Sequence, residues 1–435
     1  MSVDQAVAYA LNANHQMLNL IDKTALSELD YESARSVYKT RFGSSLSSDA
    51  RLGAEVGSTY SLFMDKANES GSRYNVGLYH SSFGSNTLSE WRFSYTLPFF
   101  DNPLDNRKLA IYQAEINSAR SQRMVEIGRE ELANEVVSAY LKLAMAIRSE
   151  QLADDERQIA DSFFQAQEIR HRNGEASALE LSEAKLRTID ARQSQDIAAL
   201  DRGSQEDAFR LLLGMDYEEL LSIDTRVLRE VESPLVEWPL QNLEDMAINH
   251  RIELLAKREE LTMTNHRIES TKIGNLPPME VSLQYSLIGE GESIDDSFNV
   301  DDQRFGVGLR MNTDLQNSET KIKQRKLYLH RRAQQREFDY LQRSIISQVR
   351  KSYSAAQRAR SALDFIREYQ ALAEQKHEQQ QILWRRGDVT ELEYFESQHE
   401  LNRARHRALS AKVDYLLAEQ DLAMATGHGI TDAAR

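Results

Sequence analysis

The chain has 435 residues, of which 41% are hydrophobic and 28% charged, with a formal net charge of -15 and a mean hydropathy of -0.58. So little apolar material cannot fill two or three conventional globular cores, and an acidic balance without a basic stripe argues against a nucleic-acid partner. There is no cysteine, which excludes disulfides, thiolate metal sites and cysteine nucleophiles; no run of about 18 apolar residues is present to make a transmembrane helix.

In chain order, Met1-Ser2-Val3-Asp4 has neither a basic n-region nor an apolar h-region, so an exported protein is expected here with its signal segment removed. A leading helix of about 27 residues is predicted near 16–42. Alternating segments follow. Leu52, Ala54, Val56, Tyr60 and Leu62 alternate with Arg51, Gly53, Glu55, Gly57 and Thr59. Trp91, Phe93, Tyr95, Leu97 and Phe99 alternate with Arg92, Ser94, Thr96 and Pro98. One apolar and one polar face per run predicts a strand pair within about 51–99. A third run, Arg73–His80, has Tyr74, Val76 and Leu78 on one side. A hairpin needs only two strands, so this run reads as a strand extension or part of an external loop.

The six prolines lie at 98, 103, 234, 239, 277 and 278. Proline breaks helices, so the two proline-free stretches between and after them are helical territory. Apolar residues recur there at helical spacing: Leu132, Val136, Tyr140, Leu143 and Ile147, then Ile345, Val349, Tyr353, Ala356 and Leu363. Long helices are predicted over about 105–172 and 318–386, each roughly 100 Å if unbroken. Each ends at a glycine turn, Arg172-Asn173-Gly174 or Arg385-Arg386-Gly387, from which a return helix runs back, about 177–213 or 390–426. Between the halves lies a linker, 215–242, and a second leading helix near 247–273. The second strand pair spans about 279–312. Met279, Val281, Leu283, Tyr285 and Leu287 alternate with polar residues, and Phe305, Val307, Leu309 and Met311 do the same across an acidic linker at 289–302. Strands of about ten residues with an aromatic-rich apolar face suit a membrane β-barrel. That assigns Trp91, Phe93, Tyr95, Leu97, Leu283, Tyr285, Phe305, Val307 and Leu309 to the lipid.

Shifted by 213 residues, the chain overlays itself without a gap from Val136 to Gly214. Tyr140 meets Tyr353, Gly174 meets Gly387, Glu180 meets Glu393, Glu183 meets Glu396 and Gly214 meets Gly427. The organisation is therefore an internal duplication, with repeats over 1–214 and 243–427 and a tail at 428–435. Two repeats give four strips of helix of similar length. Such strips build a wall that one chain cannot close.

With these parts in this order, the chain resembles the TolC family of outer-membrane factors. The resemblance covers a leading Val3-Asp4-Gln5-Ala6-Val7 helix, two strand pairs, two long helices and the duplicated tips. It implies a mainly α fold with a membrane β-barrel. Three chains would form a twelve-stranded barrel from four strands each, a twelve-helix tunnel, and an equatorial belt near 215–245. It further implies a homotrimer in the outer membrane of a Gram-negative bacterium, in contact with outer-membrane lipid. A periplasmic adaptor (membrane fusion) protein and an inner-membrane transporter would be its partners in a tripartite efflux pump or a type I secretion system. The adaptor would dock at the helix tips, which carry Arg172, Gly174, Trp384, Arg385 and Gly387. An acidic ring at the periplasmic gate would come from Glu393 and Glu396, with Glu180 and Glu183 behind the first tip. The family closes its tip with an aromatic, here Trp384, and an arginine, both reaching an acidic residue of the first tip, here Glu180. Val389 stands where that arginine is expected, leaving Arg385 or Arg386 to substitute.

No enzyme, cofactor or metal site is expected. Glu396-x-x-His399 has the spacing of a di-iron motif, but Leu186 occupies the equivalent of His399 in the other repeat, so the set is incomplete. Gly306-Val307-Gly308 sits inside a strand with no helix following it, so it is no phosphate loop. The glutamate pairs also fit an ordinary solvated helix face. The competing class is a soluble periplasmic coiled-coil scaffold or adaptor without a pore, which would not need the aromatic strands. The exported substrate, whether drug, metal ion or polypeptide, leaves no mark in the sequence; the absence of Met or His clusters disfavours a dedicated copper channel.

Overall fold

The computed structural model describes residues 1–49, 57–83, 86–99, 106–228, 235–271, 279–311 and 318–427. The chain divides into two compact units, one of residues 1–22, 123–255 and 339–435, the other of 23–122 and 256–338. In order the elements are α1 (Val3–Ala13), α2 (His15–Arg35), β1 (Arg41–Asp49), β2 (Gly57–Ala67), β3 (Arg73–Phe83), β4 (Asn86–Pro98), α3 (Asn106–Arg172) and α4 (Ala178–Leu213). They continue with α5 (Leu240–His250), α6 (Ile252–Thr271), β5 (Met279–Gly291), the one-turn α7 (Ile294–Ser297), β6 (Asp302–Met311), α8 (Ser318–Arg386) and α9 (Glu391–Thr426).

The first unit is helical. α3 and α8, with 67 and 69 residues, are the two predicted long helices, of which residues 123–172 and 339–386 belong to this unit. Leu132, Val136, Tyr140 and Leu143 of α3 and Ile345, Val349, Ala356 and Leu363 of α8 are buried, while Ile147 and Tyr353 are half-buried. The apolar period therefore marks the inward stripe. Tyr140 meets Phe209 edge to face at 5.9 Å, and Ala6, Ala10 and Met17 close the same cluster. On the opposite side of the return helix Leu179, Leu186, Ile189, Ile197 and Leu200 stay exposed. Five large apolar side chains on one water-facing helix are unusual unless a partner covers them.

Both leading helices are broken, the first at Asn14, ahead of the predicted 16–42 piece, the second at Arg251, inside the predicted 247–273 piece. At the first break Asn14 is extended (φ -64°, ψ 124°). Its Oδ1 accepts the Met17 N–H at 3.0 Å and its Nδ2 donates to the Leu212 carbonyl at 2.7 Å. The side chain starts α2 and ties it to the end of α4. Arg251 is the matching break in the second half, with Nη1 donating to the Met424 carbonyl at 3.1 Å. Gly214, at φ +78°, ends α4 against the first break, at Asn14, and an added Cβ would lie 2.4 Å from the Ala13 carbonyl oxygen. The first leading helix also ends earlier than predicted, at Arg35 rather than 42, because Arg41 and Phe42 already belong to β1.

The second unit holds one antiparallel sheet in the order β1-β2-β3-β4-β5-β6. Among the described residues six strands replace the four expected. The 73–80 run is the full strand β3, paired over 11 positions with both neighbours. β1 went unpredicted because Ser44, Ser45, Ser47 and Ser48 dilute its apolar face to Phe42 and Leu46. Of the alternating run assigned to the first strand, Leu52, Ala54 and Val56 lie outside the described residues, and β2 takes up the remainder. The start of the first long helix at 105, the far end of the second strand pair at 312 and the tail 428–435 lie outside them too.

Candidate functional site

The sheet register sorts side chains by chemistry. Phe42 lies opposite Met64, Leu46 opposite Tyr60, and Leu62 opposite Leu78. Val76 faces Phe93, Phe93 faces Tyr285, and Tyr285 faces Phe305, so one apolar row crosses the central and far strands. Tyr95, Leu283 and Val307 form a second row, and Leu97, Val281 and Leu309 a third. Every residue predicted to be lipid-facing lies on this one face. It is open: Phe42 is 81% exposed, Phe305 70% and Leu309 66%. The other face carries most of the charges. Arg73 pairs with Glu280 at 3.3 Å, Arg92 binds Glu90 through Nε at 2.9 Å, and its guanidinium lies 4.5 Å from the Tyr79 ring centre. The sheet is thus apolar on one side and mostly charged or polar on the other, with the apolar side uncovered.

The helix tips are made alike. Gly174 and Gly387 adopt φ +79° and +80°, the left-handed turn that lets a helix end. Three residues beyond Gly174, Ser177 caps α4: its Oγ accepts the Glu180 N–H at 3.2 Å, and the Glu180 carboxylate accepts the Ser177 N–H at 2.6 Å. Thr390 and Glu393 repeat this at the start of α9, at 3.2 and 2.8 Å. These are capping boxes, and the signal for them, Ser/Thr three residues before Glu, stood in the sequence unread. The matched placement of Glu180 and Glu393 behind the two glycines thus has a local structural cause. The backbone N–H bonds hold both carboxyls below the usual carboxylate range.

The remaining predicted tip residues have distinct surroundings. Glu183 is exposed. Glu396 is paired with Arg187 at 3.3 Å, and Arg187 also lies over the Phe395 ring at 5.3 Å. Trp384 stacks on Tyr394 at 4.7 Å and 8°, so it is engaged by its own hairpin. Glu180 and Trp384 border one cleft with Phe163, Glu183, Arg187 and Glu391, yet Glu180 spends its carboxylate on the Ser177 cap. Besides Arg187, a second cation crosses between the two hairpins, one the sequence did not suggest: Arg170 reaches Glu391 at 3.6 Å, with Gln167 donating to the same carboxylate at 3.3 Å. Arg172 instead pairs within its own helix with Glu168 at 2.8 Å. Arg385 and Gly387 sit exposed at the second turn. Beneath the tips Phe163 stacks on Phe395 at 4.3 Å, with Ala160, Ala184 and Ala191 letting the helices approach closely.

His399 makes a 2.6 Å contact with Glu156, and no group of metal-ligating side chains forms among the described residues. No helix among them is apolar and long enough to cross a membrane.

These features define a class: long helical hairpins joined to an open, one-sided β-sheet, the fold of outer-membrane channel proteins. A structure of CusC, studied for folding and transmembrane channel formation, superposes over 98% of this chain and 92% of its own, with TM-score 0.73 at 14% identity. The CmeC outer membrane channel of Campylobacter jejuni covers 98% and 86% (TM-score 0.70, 14% identity). The open-state MtrE outer membrane channel of Neisseria gonorrhoeae covers 98% and 89% (TM-score 0.70, 15% identity). No curated protein matches the chain in sequence. Residues 59–215 match the family model described as outer membrane efflux protein, a segment running from β2 through the end of α4, so the resemblance seen in the sequence holds.

Proposed function

We propose that this chain is one protomer of a trimeric outer-membrane exit duct, a passive conduit serving a tripartite efflux pump or a type I secretion system. The observation that carries this reading is the apolar sheet face from Phe42 to Leu309, left open to solvent in a single chain. Burying apolar area is worth about 25 cal/mol per Å², so such a face requires lipid on one side. The exposed row on α4 from Leu179 to Leu200 supports association with further copies, which would close sheet and helices into a barrel and a tunnel. The two halves, about 1–214 and 243–427, then act as structural repeats, and the segment 215–242 as the belt around the tunnel. An adaptor protein and an inner-membrane transporter are the partners this architecture calls for, with docking at the tips around Gly174 and Gly387.

At the tips, Glu393 and Glu396 of three chains would set six carboxylates around one opening, with Glu180 and Glu183 behind them. Close like charges in a narrow pore are poorly screened at a Debye length of about 8 Å, so the ring concentrates cations and binds multivalent ones. Native mass in detergent tests assembly; it should be about three times 49.8 kDa, and a well-behaved monomer in detergent-free buffer would end the channel reading. Single-channel recording tests the gate by comparing the parent with Glu393→Gln/Glu396→Gln. Glutamine keeps the capping box, so the pair removes charge without fraying α9. Unchanged cation selectivity and unchanged multivalent block would leave the glutamates as helix caps and surface.

A further inference from the structure

The first half of the chain carries one strand pair more than the second. α1 and α5 begin 237 residues apart, whereas α4 and α9 begin 213 apart, so the first half is 24 residues longer. The excess falls between leading and long helix, where among the described residues β1 to β4 stand against β5 and β6. It is the size of one hairpin. A hairpin returns the chain to the end of the sheet it left, so two strands can be added while α3 still departs from the same end. All six strands hold 9 to 13 residues, and about 9–11 tilted residues span a bilayer. The added strands also extend the apolar face, through Phe42 and Leu46 on β1 and Tyr60, Leu62 and Met64 on β2.

Resting on the trimeric-duct reading, we propose that all six strands enter the barrel, with β1 of one copy pairing antiparallel to β6 of the next, so that three copies close eighteen strands instead of twelve. β1 and β6 are the outermost strands of the sheet, and neither has a strand partner on its outer side among the described residues. An open edge cannot persist in hydrocarbon, where no water satisfies its N–H and C=O groups. The second copy fits that edge. Six is even, so β1 and β6 run in opposite directions, and their lengths of 9 and 10 residues match. They are also the two most exposed strands. Pairing through β3 instead would require breaking its 11-position ladder with β2. Barrel diameter grows roughly in proportion to strand number, so eighteen strands make a pore about one and a half times as wide as twelve. The duct is then not narrowed at the outer membrane, and selection falls to the tips.

The chain has no cysteine, so introduced pairs report without background. Apolar faces align only when an even position of β1 lies opposite an odd position of β6. Phe42→Cys, Ser44→Cys and Leu46→Cys, each combined with Leu309→Cys, therefore sample the three central registers. Leu78→Cys with Leu309→Cys samples β3 against β6 of the next copy. After oxidation in membranes and denaturing, non-reducing electrophoresis, one β1 pair should shift the chain from 49.8 kDa to about three times that mass, and the β3 pair should not shift it. Cross-linking through β3, or through neither strand, in a protein whose native mass is still trimeric overturns the eighteen-strand barrel and spares the duct. A monomeric native mass overturns the duct itself, and this proposal with it.

Discussion

The helix tips of the two halves are near copies, whereas their strand regions differ by a whole hairpin. The tips share a left-handed glycine, a Ser or Thr cap and a reciprocating Glu at the same distance. Each part of that turn is fixed by backbone hydrogen bonds that have no other partner, so there is little room for variation. The strand regions answer to a looser rule, one apolar face and an unbroken ladder, and a hairpin can be added without violating either. Turn geometry is thus specified locally, while strand number is not.

The largest expected effect breaks the strand side of this comparison. Phe93→Arg places a charge in the row between Val76 and Tyr285 and should cost about 2–4 kcal/mol at the bilayer midplane, seen as loss of assembled protein in membranes. Ser94→Arg, on the polar face opposite Asn75 and Gln284, should assemble normally. Equal tolerance would mean the faces are reversed or the sheet lies outside lipid.

Next come the glycines. Gly174→Ala and Gly387→Ala should each cost about 1–2 kcal/mol, the penalty of a left-handed residue with a Cβ, since nothing lies within 4 Å of either. Gly214→Ala should cost more, because its Cβ would also meet Ala13. Thermal unfolding of the three variants checks the order, and equal losses would remove the contact argument.

The caps should respond equally: Ser177→Ala and Thr390→Ala each lose about 1 kcal/mol, read as faster hydrogen exchange in the first turns of α4 and α9. Glu180 and Glu393 have lowered pKa values. Their contribution is therefore complete above the unfolded value of about 4.3, and is lost as pH falls from there through the lowered one. Exchange at both tips that ignores pH below 5 would contradict the charged cap.

The smallest effect separates the halves again. Glu206, the counterpart of Glu419, pairs with Arg210 at 2.7 Å. Glu419 is buried instead, accepting the Leu235 N–H at 2.9 Å and the Tyr415 hydroxyl at 3.2 Å. Burial raises the Glu419 carboxyl and, with that carboxylate beside it, pushes Tyr415 up to about 12. A raised acid binds its proton more tightly when folded, so stability should decline as pH climbs from about 4.3 toward the elevated value. Glu419→Gln should flatten that decline and Glu206→Gln should leave it, as urea titrations at several pH values would report.

What the sequence determined by itself is what short-range chemistry dictates. Proline positions and the 3.6-residue period of Val136, Tyr140 and Leu143 bound the long helices, and Gly174 and Gly387 set their ends. Alternation from Trp91 to Leu97 fixed which face of the sheet is apolar. Tertiary structure decided the rest. β1 shows almost no alternation through its serines, and becomes a strand only because β2 offers nine backbone partners from Asp65 to Gly57. The leading helices break at Asn14 and Arg251 because the ends of α4 and α9 supply carbonyls there. Arg170 joins the tips only because folding brings Glu391, 221 positions away in sequence, within 3.6 Å. Periodicity records which way a side chain must point; it carries no record of which distant backbone or charge will be there to meet it.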